Sequence, residues 1–62
     1  MQLKLLRARK GFIKQVDFAK ALGVKQSTLS MWETGKARPD IDMLRKLAEV
    51  LQVDIKEVLE CF

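Results

Sequence analysis

Three glycines, at positions 11, 23 and 35, divide the first half of the chain into segments too short for long helices. Each follows a stretch whose apolar residues recur at helical spacing, where a glycine in a left-handed conformation ends a helix without steric cost. The whole chain has 62 residues, enough for one small domain covering residues 1–62. The sequence therefore predicts a compact bundle of short helices.

Apolar spacing predicts five helices and no strand, which makes the fold all-α. In chain order the helices cover about residues 2–10, 15–22 and 26–34, a segment after Asp40 and a segment after Asp54. Both aspartates are predicted N-caps, and Glu57 is placed to complete a capping box with Asp54.

Three further patterns indicate where the core lies. The connector residues Phe12 and Ile13 are expected to fill the space between the first two helices. The fourth helix has the clearest amphipathic stripe, formed by Ile41, Leu44, Leu47, Ala48 and Leu51. The fifth helix has a similar spacing, formed by Ile55, Val58, Leu59 and Phe62.

The residue inventory argues against an enzyme or a metalloprotein. The chain has no histidine and a single cysteine, Cys61, so an internal disulfide is impossible and an ordinary zinc site lacks its ligands. The eight carboxylates form no recognisable catalytic pair. We expect no enzymatic activity, no cofactor, no metal and no small-molecule ligand.

No apolar run approaches the roughly 18 residues that span a bilayer, and no apolar signal segment is present at the N-terminus. We therefore expect a cytoplasmic protein with no membrane association, placed at the nucleoid if it binds DNA.

Charge is divided unequally along the chain. Residues 1–38 carry nine basic and two acidic side chains, a net charge of +7, whereas residues 39–62 carry three basic and six acidic ones, a net charge of −3. Such a division favours a polyanionic partner for the first part of the chain. The alternative is that the lysines only solvate helix surfaces.

The segment from about residue 15 to residue 34 has the features of a helix-turn-helix. It offers the small residue Ala19 where two helices would cross and Gly23 in the turn between them. The apolar anchors for a steeply angled second helix are Phe18, Val24, Leu29 and Trp32.

The third predicted helix has an unusual outer face. With Leu29 and Trp32 turned inward, the residues on the outside are Ser27, Ser30, Met31 and Thr34, with Gln26 at the exposed N-terminal edge. This face carries no charge, and small groups that donate and accept hydrogen bonds suit base edges in the major groove. The alternative is a polar surface helix with no partner.

The chain resembles the DNA-binding domain of the Cro-like phage repressors, the XRE family, from the first helix to Leu59. The residues that carry the resemblance are Gln15, Phe18-Ala19, Leu22-Gly23-Val24, Ser27-Thr28-Leu29-Ser30, Trp32-Glu33, Gly35-Lys36 and Pro39. The resemblance implies a lambda-repressor-like domain of five helices that binds operator DNA as a dimer, with the third helix in the major groove.

Two sets of contact residues follow from the resemblance and from the outer face. The predicted base-reading residues are Lys25, Gln26, Ser27, Ser30 and Met31. The predicted phosphate contacts are Lys14, Gln15, Thr34, Lys36 and Arg38. No arginine lies on the reading face, whereas a glutamine can pair with adenine, so we expect half-sites that contain A·T pairs.

The sequence departs from the family pattern in three places. The connector at residues 11–14 is one residue longer than usual. Lys14 and Lys25 stand where family members often carry Ser or Thr as N-caps, and each missing cap costs about 1 kcal/mol. We expect DNA phosphates to supply the missing counter-charge at these two helix ends.

One domain of this size makes few base contacts, so we expect a homodimer, at least on DNA, with half-sites about 34 Å apart. The candidate dimer contacts are Val58, Leu59 and Phe62. The alternative is that Leu59 and Phe62 pack on the core of their own chain. We expect Cys61 to act as a small hydrophobe, with no disulfide between chains.

The sequence is compatible with two functions of different class. The first is a sequence-specific regulator of transcription, acting as a repressor on double-stranded operator DNA. The second is a protein-interaction module, such as a small antitoxin, in which DNA binding is secondary.

Overall fold

The computed structural model describes residues 2–62, and this part of the chain is all-α, as predicted. Its five helices are α1 (Leu3–Arg9), α2 (Gln15–Leu22), α3 (Gln26–Glu33), α4 (Ile41–Leu51) and α5 (Ile55–Leu59). No strand occurs among the described residues. Within residues 2–62, none of the helices has the length and apolarity needed to cross a membrane.

The core lies where all five helices meet. Helix α4 packs on α5 and α2, α2 packs on α3, and α1 packs on α3. The largest side chains that are fully buried are Leu6, Phe18, Leu22, Leu29, Leu47, Leu51 and Val58. Burying each such side chain contributes roughly 1.5 to 3 kcal/mol, so these residues hold α2 and α3 at a fixed angle.

Two predicted core residues are exposed instead. Ile41, the first residue of α4, is 58% exposed, and the first stripe residue that is buried is Leu44. Ile13 is 72% exposed, and Phe12 alone fills the connector space, with its ring centroid 5.0 Å from that of Phe18. The Ile13 carbonyl is directed instead at the Arg7 side chain.

The helix ends follow the predicted signals with one difference. The Asp40 carboxylate accepts a hydrogen bond of 2.8 Å from the Met43 amide, as expected of an N-cap. The Asp54 carboxylate accepts its bond of 3.0 Å from the Lys56 amide, not from that of Glu57. Asp54 is therefore an N-cap, but its side chain does not make the bond of a capping box.

Helix α4 ends at Gln52 in a left-handed conformation, with φ of 56°. Among the described residues it is the one non-glycine residue with positive φ. This conformation costs a residue that bears Cβ roughly 1 to 2 kcal/mol, and the sequence around Gln52 gave no sign of it.

Replacing Gln52 with glycine is therefore expected to raise the free energy of unfolding by about 0.5 kcal/mol, because relief of strain exceeds the added chain entropy. Glu49→Gly, at an exposed position of the same helix, is the matched control and is expected to lower it by about 1 kcal/mol. Urea denaturation followed by circular dichroism measures both. A loss of stability in Gln52→Gly equal to that in the control contradicts the strain argument.

Candidate nucleic-acid interface

Helices α2 and α3 and the turn between them form the predicted helix-turn-helix. Gly23 has φ of 75°, and the Val24 amide donates to the Ala19 carbonyl over 3.1 Å to close the turn. Ala19 is only 2% exposed, and the anchors Leu29 and Trp32 are buried in the core. The scaffold residues that the sequence indicated are the ones that fix α3.

The predicted base-reading residues lie together on α3 and at its N-terminal end. Lys25, Gln26, Ser27 and Met31 are exposed, whereas Ser30 is half-buried beside them. The chain on either side of α3 is basic, but the outer face of the helix itself has no ionised side chain.

The predicted phosphate contacts are of two kinds: exposed cations, and polar side chains that already make a hydrogen bond within the protein. The exposed cations are Lys14, Lys36 and Arg38. Thr34 is exposed, but its hydroxyl donates to the Ser30 carbonyl over 3.0 Å. A phosphate oxygen only accepts, so Thr34 cannot bind one as a donor while this bond is made.

Both helices of the motif begin without a side-chain cap. Lys14 and Lys25 have extended backbone conformations and neither makes a side-chain cap bond. The first backbone N–H groups of a helix have no partner within the helix and attract anions. These two ends are therefore suited to phosphate, in agreement with the charge of both lysines.

A buried ion pair lies directly behind this surface. The Arg7 Nε donates to Glu33 Oε2 over 2.6 Å, and the two side chains are only 5% and 6% exposed. Arg7 Nη1 also donates to the carbonyls of Phe12 and Ile13, each over 2.8 Å. The pair thus joins α1, the connector and the end of α3.

Sequence reasoning missed this pair, because it counted Arg7 and Glu33 with the surface charges. The signal was present in the spacing: Arg7 follows Leu3 by four residues and therefore lies on the inward face of α1. Since one cation and one anion leave the surface together, the net charge of residues 1–38 at the surface remains +7.

The ion pair continues toward the outer face of α3 through two glutamines. Gln15 Nε2 donates to Glu33 Oε1 over 3.0 Å, and Gln26 Nε2 donates to Gln15 Oε1 over 3.2 Å. The predicted phosphate residue Gln15 and the predicted base reader Gln26 are therefore in direct contact. We call the four side chains, from Arg7 through Glu33 and Gln15 to Gln26, the glutamine relay.

The candidate dimer contacts have different surroundings. Val58 is fully buried in the core of its own chain, so it is not available to a partner, and the prediction is corrected for this residue. Leu59 is 45% exposed, and Phe62 is half-buried against the core. The neighbouring Cys61 is also half-buried, and this burial raises the pKa of its thiol and keeps it protonated.

Comparison with known proteins gives a family match. A family model described as helix-turn-helix matches residues 3–58. No curated protein and no solved structure matches the chain.

Removing one partner of a buried ion pair costs about 3 to 5 kcal/mol, because the other charge stays buried. This is close to the whole stability of roughly 3 to 5 kcal/mol that a domain of this size has, so Arg7→Met is expected to be largely unfolded at 25 °C. The double variant Arg7→Met, Glu33→Leu should recover most of the loss.

The surface variant Lys4→Met is the matched control, with an expected change within about 0.5 kcal/mol. Thermal unfolding followed by circular dichroism measures all three variants. A double variant no more stable than Arg7→Met contradicts the account of an uncompensated buried charge.

Proposed function

Because the chain belongs to the Cro-like (XRE) helix-turn-helix family, a family of regulators that bind double-stranded DNA and not of enzymes, we propose that it is a transcriptional repressor. It binds operator DNA as a homodimer, with α3 in the major groove, and residues 1–62 act as one domain. The observation that carries this proposal is the uncharged outer face of α3, held on a buried scaffold.

The state of Gln26 supports direct contact with bases. One N–H of its carboxamide is bonded to Gln15, which leaves the carbonyl oxygen and the second N–H for a ligand. Adenine offers one donor and one acceptor at its major-groove edge, N6 and N7, and matches this pair. Lys25, Ser27 and Met31 are exposed on the same surface, and Ser30 is half-buried among them.

Phosphates hold the protein in register on the duplex. Lys14, Lys36 and Arg38 supply charge, and the uncapped start of α2 supplies backbone donors. Gln15 has a second N–H besides the one that it gives to Glu33, and this hydrogen is available to a phosphate at the same helix end.

The size of the molecule supports a dimer. The Cα atoms extend over 24 × 23 × 19 Å, whereas successive major-groove half-sites lie about 34 Å apart. One copy therefore reads one half-site. With Val58 buried, the exposed Leu59 and the half-buried Phe62 remain as the dimer contacts. A dimer bound to an operator that overlaps a promoter excludes other proteins from that promoter, and transcription is repressed as a consequence.

Selection from a pool of random duplex DNA, at two salt concentrations, tests the proposal. We expect paired half-sites that contain A·T pairs, spaced by one turn of DNA, and an affinity that falls steeply with salt. A pool that stays random, together with a protein that co-purifies with the chain, would instead support the interaction module.

The missing cap at α2 gives a second test. Lys14→Ser restores a cap and removes a cation, so it is expected to raise the free energy of unfolding by about 1 kcal/mol. The same change is expected to weaken binding to every duplex and to lower the slope of log affinity against log salt by about 0.9.

Lys56→Ser, on α5 in the net acidic part of the chain, is the matched control and should leave this salt slope unchanged. Urea denaturation gives the stability, and fluorescence anisotropy at several salt concentrations gives the slope. A stabilised Lys14→Ser protein that binds DNA as tightly as the wild type rules out a phosphate at this helix end.

A further inference from the structure

The order of donors and acceptors along the glutamine relay is determined by the chemistry of its four side chains. Arg7 can only donate hydrogen bonds and the Glu33 carboxylate can only accept them. Glu33 Oε1 therefore requires the nitrogen of the Gln15 carboxamide, and it receives Gln15 Nε2 at 3.0 Å. The Gln15 oxygen is then turned away from Glu33, toward α3.

The same reasoning fixes the next carboxamide. Gln15 Oε1 is an acceptor, so Gln26 must present its nitrogen, and Gln26 Nε2 lies 3.2 Å away. Gln26 keeps one N–H and its carbonyl oxygen for a base. The arrangement with both N–H groups turned toward the groove is excluded as long as the relay is intact.

We propose that Glu33 determines which purine Gln26 selects, because the carboxylate sets the orientation of both carboxamides through Gln15. The inference rests on the proposed function, in which Gln26 faces the bases. Adenine offers a donor and an acceptor in the major groove, whereas guanine offers two acceptors, O6 and N7. The relay therefore favours adenine and disfavours guanine, and Glu33 acts as a positioning residue that touches no base.

Glu33→Gln reverses the direction of the relay. The new carboxamide gives its oxygen to Arg7, which only donates, and turns its nitrogen toward Gln15. Gln15 then presents its oxygen to position 33 and its nitrogen to the oxygen of Gln26. Both N–H groups of Gln26 become available to the groove, which matches the two acceptors of guanine.

Gln15→Met breaks the relay and leaves the Arg7–Glu33 pair in place. Methionine has a similar length but neither donates nor accepts strongly, so the Gln26 carboxamide is free to rotate. This variant keeps the inference testable if Glu33→Gln is too unstable to fold. Leu51→Val is the matched control, because it weakens the core on α4 without touching the relay.

The experiment is selection from a random duplex pool with the wild type and each variant, followed by a comparison of base frequencies. Gln26→Ala identifies the position that Gln26 reads, as the one whose base preference disappears. There the wild type and Leu51→Val are expected to favour adenine over guanine by about tenfold. The ratio should fall below about twofold in Gln15→Met and favour guanine in Glu33→Gln.

The outcomes separate the inference from the function on which it rests. If Gln26→Ala removes a preference but Gln15→Met and Glu33→Gln keep the wild-type ratio, the relay has no part in selection and the inference is overturned alone. If the wild-type pool stays random, or Gln26→Ala changes no position, the proposed function fails and the inference fails with it.

Discussion

The ion pair between Arg7 and Glu33 is the interaction on which the arrangement of α1, the connector and α3 depends. It brings α1, the connector before α2 and the last residue of α3 to one point, with both side chains nearly excluded from solvent. The Arg7 guanidinium also donates hydrogen bonds to two backbone carbonyls of the connector. No buried side-chain nitrogen or oxygen among residues 2–62 lacks a hydrogen-bond partner, and this includes the atoms of the ion pair.

In the proposed function, stability and binding are divided between opposite sides of α2 and α3. Their inner sides pack into the core, with Phe18, Leu22 and Leu29 fully buried. The N-terminal ends of α2 and α3 lack side-chain caps, although Asp40 and Asp54 cap α4 and α5 in the same chain. Helix α1 also begins without a side-chain cap, at Gln2, but the uncapped ends of α2 and α3 each carry a lysine, and an anion bound there would offset the loss.

The sequence was sufficient for the fold and for its scaffold. Helical spacing and the three glycines placed both ends of the first three helices within about one residue, and the two aspartates placed the starts of α4 and α5. The anchors Leu29 and Trp32 were recovered because burial follows periodicity. Its errors have local causes. Ile13 and Ile41 are apolar residues beside helix ends, where periodicity does not decide which side chain is covered.

Spacing places Arg7 on the inward face of α1, but its pairing with Glu33 and the relay lay beyond such reasoning for a different reason. Periodicity assigns faces one helix at a time, whereas Arg7 and Glu33 are 26 residues apart in the sequence and meet only when α1 packs on α3. The same holds for Gln15 and Gln26, which lie on different helices. Pairing of polar groups across helices requires the crossing geometry, and a single sequence does not supply it.

A buried ion pair is not the most stable solution for such a position. Apolar side chains of similar volume often match or exceed its stability, because both charges must leave water. An apolar pair, however, has no donors or acceptors, and the carboxamide of Gln15 would then rotate without preference. The carboxylate of Glu33 only accepts hydrogen bonds, so it determines the orientation of the Gln15 carboxamide, which packing alone cannot do. A second hydrogen bond, from Gln26 to Gln15, extends this orientation to the outer face of α3. In the proposed DNA complex, which has few base contacts, a fixed orientation at one of them is a reason to keep charge in the core.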